Sequence, residues 1–158
     1  MIKKIIKFFL VLLCMATIFG FSSDNAEESN KKSDGVIVRI SEFLVGHKLS
    51  EKEREQKIEQ YVTLIRKSAH LTIYLILGFL LLSYLREYRV LDTKTIMIAF
   101  IIAVLYACSD EIHQLVVPGR SGEIFDVIID SIGSLTGIGI YYMFYKWRNK
   151  NEQEKTIC

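Results

Sequence analysis

The stretch TIMIAFIIAVLYACSDEIHQ, residues 95–114, decides the fold. Fourteen uncharged residues run from Thr95 to Cys108, and Asp110 and Glu111 then arrive together. Fourteen residues make about 21 Å of helix, short of a ~30 Å hydrocarbon core. A spanning helix must therefore continue past the acids towards Val117 and stop before Pro118. That reading puts two carboxylates within or at the edge of the membrane, a costly place for them.

Working outward, a second apolar run from Val127 to Tyr145 carries another acid, Asp130. A third, Ala69–Leu85, is closed by Arg86, Glu87 and Arg89. At the N-terminus Lys3, Lys4 and Lys7 precede an apolar run from Phe8 to Phe21 of signal-anchor type. Ser22-Ser23 offers a poor cleavage site, so a retained anchor is expected. The fold class is all-α: an integral membrane helical bundle of about four transmembrane helices, one N-terminal signal anchor plus three. A helical insertion outside the cytoplasm follows the first.

Residues 22–34 read as a polar linker with no core-forming power. Val36, Ile40, Phe43 and Leu44 recur at helical spacing and predict a short amphipathic helix along the membrane interface. Ser50 followed by Glu53 is a capping-box signature, and Glu53–Lys57 is a favourable pair on the helix it opens. No Gly or Pro interrupts from Ser50 to Ile76, so that helix can run directly into the next span. The expected division is an anchor over 1–21, a polar and amphipathic segment over 22–66, a transmembrane domain over 67–146 and a tail over 147–158.

Over the whole chain of 158 residues, 51% are apolar and the net charge is only +2, which gives no basic field for nucleic acid. Cys14, Cys108 and Cys158 are scattered without a zinc or redox spacing and read as incidental.

Sidedness follows from where Lys and Arg fall. The N-terminus has three, the 86–94 loop three (Arg86, Arg89, Lys94), the tail four (Lys146, Arg148, Lys150, Lys155), and the 109–126 loop only Arg120. Both termini and the 86–94 loop are therefore expected in the cytoplasm of a multi-pass cell-membrane protein, and the 109–126 loop outside. The nine basic residues between 22 and 67 oppose this assignment and are outvoted. Lys67 and His70 then share the outer face with Asp110, Glu111, His113, Gln114, Arg120, Asp126 and Asp130.

Spacing gives each helix one polar stripe. Lys67, His70 and Tyr74 fall at i, i+3, i+7; Asp110 and Gln114 at i, i+4; Asp126, Asp130, Gly133 and Gly137 at i, i+4, i+7, i+11. Gly133–Gly137 is also a GxxxG, which permits close helix approach. His113 is less well aligned. Buried carboxylates need cations or protons, so the constellation is either an ion-pair network pinning three helices or a polar pocket for a ligand, and one arrangement can do both. No metal or cofactor is expected. Acids could hold Mg²⁺ or Ca²⁺ through oxygen ligands, but the adjacent Lys67 and Arg120 argue otherwise.

The same residues carry a resemblance. Lys67-Ser68-Ala69-His70, Tyr74 and Gly78, SDEIHQ at 109–114, PGR at 118–120, and Asp126 through Gly133 are similar to the VanZ-like family over roughly residues 60–140. The combination is more specific than any part of it. The resemblance implies a small bacterial membrane protein of the cell envelope, and the family's namesake is linked to low-level resistance to the glycopeptide teicoplanin. Asn is common in the family where this chain has Asp130.

The first functional expectation is a non-enzymatic envelope protein that binds a lipid-linked or peptidoglycan-related ligand, such as a cell-wall precursor or glycolipid, at the outer face. Its binding residues would be Lys67, His70, Tyr74, Asp110, Glu111, Gln114, Arg120, Asp126 and Asp130. The alternative is a membrane-embedded enzyme acting on a lipid, with His70 as acid/base beside Asp110 or Glu111. No nucleophile elbow, P-loop or zinc motif supports it, so the reading leans away from an enzyme. A transporter is disfavoured because Leu75–Leu82 and Ile96–Val104 are uniformly apolar and leave no polar route through the bilayer. The oligomeric state is not legible.

Overall fold

The computed structural model describes residues 1–120 and 122–157, with the side chains of Ala26 and 152–157 left aside. Five helices follow one another among these residues: α1 Ile2–Ser23, α2 Ala26–Val45, α3 Glu51–Leu85, α4 Thr93–Gln114 and α5 Ile124–Ile157. Four of them (all but α2) are long and apolar enough to cross a membrane. This is the helical membrane bundle that the apolar runs predict.

α1 has 22 residues, about 33 Å of helix, which matches a hydrocarbon core. α3, at 35 residues, is about 52 Å long, so one end must project beyond the membrane. Its start is fixed by the expected capping box, in which Ser50 N–H donates to Glu53 Oε2 at 2.9 Å. As the uninterrupted sequence from Ser50 suggests, no break separates the charged part from the span.

The 22–34 stretch departs from the linker expectation. α1 runs to Ser23, and α2 begins at Ala26, so most of the segment is helical. Local chemistry explains it: the Asn25 side chain accepts Glu28 N–H at 2.8 Å as an N-cap, and Lys31 pairs with Glu27 one turn earlier at 2.7 Å. α2 folds back on the projecting part of α3, where Arg54 meets Glu42 at 3.0 Å. Among the described residues of α2, Ser33 and Ile37 are buried, while the stripe Val36, Ile40, Phe43 and Leu44 stays exposed.

α4 is capped by Asp92, whose side chain accepts Thr95 N–H at 2.8 Å. It carries Asp110 and Glu111 within the helix, as expected, but ends at Gln114, three residues before Val117. The approaching Pro118 tightens the chain: Val116 and Val117 N–H bond three residues back, to His113 and Gln114. Gly119 then takes φ 75°, a left-handed turn that favours glycine, and the chain reverses into α5.

The most extensive helix pairing is α3 with α5. A Cβ on Gly133 would strike the Leu71 carbonyl, one on Gly137 the Leu75 carbonyl, and one on Gly78 the Ser134 carbonyl. The Gly133–Gly137 motif is therefore a working contact, and it brings the two polar stripes side by side. The core between helices is apolar: Tyr74, Leu77 and Leu82 of α3, Ala99, Ala103 and Ala107 of α4, and Ile138 of α5 are buried.

The bundle has two unlike ends. At one, Lys7 pairs with Glu87 at 2.5 Å, Lys4 lies 4.3 Å from the centre of the Tyr88 ring, and Arg86 lies 4.2 Å from that of Tyr145. At the other, Asp24, Lys67, Arg120 and Asp126 gather.

Candidate functional site

The three stripes meet at that second end. His70 faces Asp130, with Nδ1 to Oδ1 at 3.6 Å. This is an ion-pair distance if the imidazole is protonated, and too long for a hydrogen bond. Asp110 completes a triad with them: one potential ligand atom from each residue lies within 4.8 Å of the others. Asp130 is fully buried, and Asp110 and Glu111 nearly so.

Each remaining predicted residue has a definable place. Tyr74, one turn below His70, is fully buried, within electrostatic reach of Asp110, Asp130 and Glu111. Gln114 is a hub: its Nε2 donates to Asp110 Oδ2 at 3.3 Å and to Ser22 Oγ at 3.2 Å, and its Oε1 accepts from Arg120 at 3.3 Å. Glu111 Oε2 accepts the backbone N–H of Glu123 at 2.8 Å, so it supports the entry into α5 while its Oε1 is left over. Lys67 reaches Asp126 at 2.8 Å and Glu123 at 3.4 Å, at the rim above the buried acids. His113 points elsewhere, stacking on Phe19 with ring centroids 4.5 Å apart and meeting Ser23 Oγ at 3.1 Å.

Arg120 ties the turn to α1. Its guanidinium donates to the Asp24 carbonyl at 3.0 Å and to the Phe21 carbonyl at 3.1 Å, besides Gln114. Partial burial, then the nearby charge of Arg66, pulls its pKa below the ordinary guanidinium value, against the attraction of Asp24, Asp110 and Glu111.

Buried polar atoms left without a protein partner concentrate here. Both oxygens of Asp130, Asp110 Oδ1, Glu111 Oε1, His70 Nδ1, Tyr74 Oη and Ser134 Oγ all lack a hydrogen bond among the described residues. An unmet buried polar group costs about 1–3 kcal/mol, so such a cluster calls for an explanation. The two cations that argued against a metal are both engaged elsewhere, Lys67 at the rim and Arg120 on the α1 carbonyls. The triad of one imidazole and two carboxylates is a donor set that can hold a divalent ion.

Beside the triad lies a cavity of about 290 Å³ between α1, α2 and α3. His70 borders it, Ile18, Val36 and Ile73 give it apolar walls, and Lys32, Arg66 and Arg120 supply positive charge. Lys32 is paired with Asp24 at 2.5 Å, whereas Arg66 forms no ion pair among the described residues. Sequence reasoning missed Ser22, Asp24, Arg66 and Ser134. Ser134 follows Asp130 by four residues and was legible on the same stripe. Ser22 and Asp24 were not, because nothing in the sequence aligns α1 against α4.

A model of the VanZ/LLP1 family matches residues 7–145, from within α1 to within α5. Comparisons with curated proteins and with solved structures gave no match.

Proposed function

The chain belongs to the VanZ/LLP1 family, and on that premise we propose that its polar end binds an anionic ligand of the cell envelope, lipid-linked or peptidoglycan-related, and modulates susceptibility to teicoplanin-type glycopeptides. The observation that carries the reading is one cavity bearing Arg66 and Arg120 above apolar walls. Two guanidinium groups that repel each other are brought to rest by a shared anion, and Arg binds phosphate or carboxylate bidentately. The apolar walls favour the first methylenes of an attached chain. The ligand is therefore an amphiphile with an anionic head, as a lipid-linked cell-wall precursor is. Lys4, Lys7, Arg86 and Arg148 at the opposite end support placing that end in the cytoplasm and the cavity outside. The glycopeptide role rests on the family alone.

The test uses Arg66→Ala, because Arg66 has no ion pair to lose among the described residues. In cells with matched membrane abundance, teicoplanin susceptibility shifts relative to wild type. In nanodiscs, binding of a polyprenyl phosphate weakens about tenfold, the order expected for a charge-assisted contact. Unchanged susceptibility together with unchanged lipid binding rejects the reading.

One observation favours a catalytic version of the same site: His70 borders both the cavity and the buried acids. Here His70 would act as acid/base beside Asp110 or Glu111 on a lipid substrate. Turnover of a lipid pyrophosphate or glycolipid by purified protein, lost in Asp110→Asn, selects it.

A further inference from the structure

We infer that His70, Asp110 and Asp130 form a divalent metal site, taking a transition-series ion such as Zn²⁺ or Mn²⁺ through one imidazole nitrogen and one oxygen from each carboxylate. The inference is independent of which ligand fills the cavity.

Geometry is the first support. The three residues come from three helices, α3, α4 and α5, and still place one ligand atom each within 4.8 Å of the others. His70 Nδ1 and Asp130 Oδ1 stand 3.6 Å apart. That is too long for a hydrogen bond, yet two ligands each about 2.1 Å from one tetrahedral ion stand about 3.4 Å apart.

Charge is the second. Asp110 and Asp130 are both buried, and two carboxylates in a low-dielectric interior need compensation. Among the described residues no Lys or Arg supplies it: Lys67 is taken by Asp126 and Glu123, and Arg120 by backbone carbonyls and Gln114. A dication balances the pair and also uses the imidazole nitrogen, which a hard ion such as Ca²⁺ would not prefer.

The surrounding groups are the third. Gln114 Nε2 holds Asp110 Oδ2 and leaves Oδ1 open, the outer support that ligating carboxylates have. The Tyr74 and Ser134 hydroxyls are fully buried, without a partner among the described residues, and sit one helical turn beyond His70 and Asp130 on the same faces.

The test takes the full chain in detergent, strips it with chelator, exposes it to Zn²⁺ or Mn²⁺, and measures bound metal by mass spectrometry alongside thermal stability. About one equivalent of ion is expected, with a rise in Tm as metal is added. Asp110→Asn, Asp130→Asn and His70→Ala each weaken binding about tenfold or more. Glu51→Gln, at the exposed start of α3, leaves it unchanged. A wild-type protein that takes up no metal and shows no Tm shift overturns the site and leaves the acids held by protons. Equal loss in Glu51→Gln also overturns it, by showing diffuse binding to surface acids. If the triad variants do not accumulate, wild-type stoichiometry and Tm shift decide alone. Arg66→Ala, which weakens lipid binding, leaves metal content intact, so either proposal can fail without the other.

Discussion

His70 of α3 and Asp130 of α5 face each other at 3.6 Å because Gly133 and Gly137 let the two helix backbones touch immediately below them. The polar pair sits at the top of a close crossing that tolerates no side chain. The glycines therefore set the site's dimensions, although they bear no chemistry.

Gly137→Ala tests that dependence. A Cβ there overlaps the Leu75 carbonyl, and backbone cannot yield as a flexible side chain would. The expected loss is about 1–3 kcal/mol or more, read as a lower Tm in detergent. Gly139→Ala meets nothing within 4 Å and is the control. It is expected to be neutral or to gain about 0.5–1 kcal/mol of helix propensity. Equal behaviour of the two variants contradicts the close crossing.

Tyr74→Phe removes a buried hydroxyl that has no hydrogen-bond partner among the described residues. The fold is expected to tolerate or gain from the change, by about 1 kcal/mol in the chelator-stripped protein. A markedly lower Tm in that state means that the hydroxyl is satisfied within the fold.

Arg120→Lys and Arg120→Ala are expected to behave alike. The guanidinium spans the Asp24 carbonyl, the Phe21 carbonyl and Gln114 through three separate nitrogens, a fork that an ammonium cannot reproduce. Both variants loosen the end of α1, so limited proteolysis between Ser22 and Asn25 quickens. Wild-type resistance in Arg120→Lys refutes the clamp.

Lys67 and Asp126 meet at 2.8 Å with both side chains partly exposed. A double-mutant cycle is expected to return only about 0.2–1 kcal/mol of coupling, reduced by salt. Coupling well above that range would move Lys67 from the rim into the buried network.

Sidedness is checked by single cysteines at Val116 and Val90, both exposed in connections between helices at opposite ends of the bundle, in a chain without its native cysteines. A membrane-impermeant maleimide on intact cells is expected to label position 116 and spare position 90. The reverse pattern turns the cavity towards the cytoplasm and ends the envelope-ligand reading.

The sequence by itself determined the spans, the continuity of α3 from its capping box, and the membership of each polar stripe. Those properties are periodic or local: apolar run length, a cap three residues before its Glu, and side chains repeating every turn. The helical state of residues 26–34 was also local, but charge density masked the Asn25 cap and the Glu27–Lys31 pair. Only the tertiary structure decided which stripe faces which. Sequence spacing sets Lys67 and Arg120 beside the buried acids, yet one is drawn to Asp126 and the other to carbonyls of α1. Partner choice among charges depends on helix rotation and depth, to within an ångström or two, and sequence spacing does not encode those. The carboxylates thus left without a cation became visible only once the helices were packed.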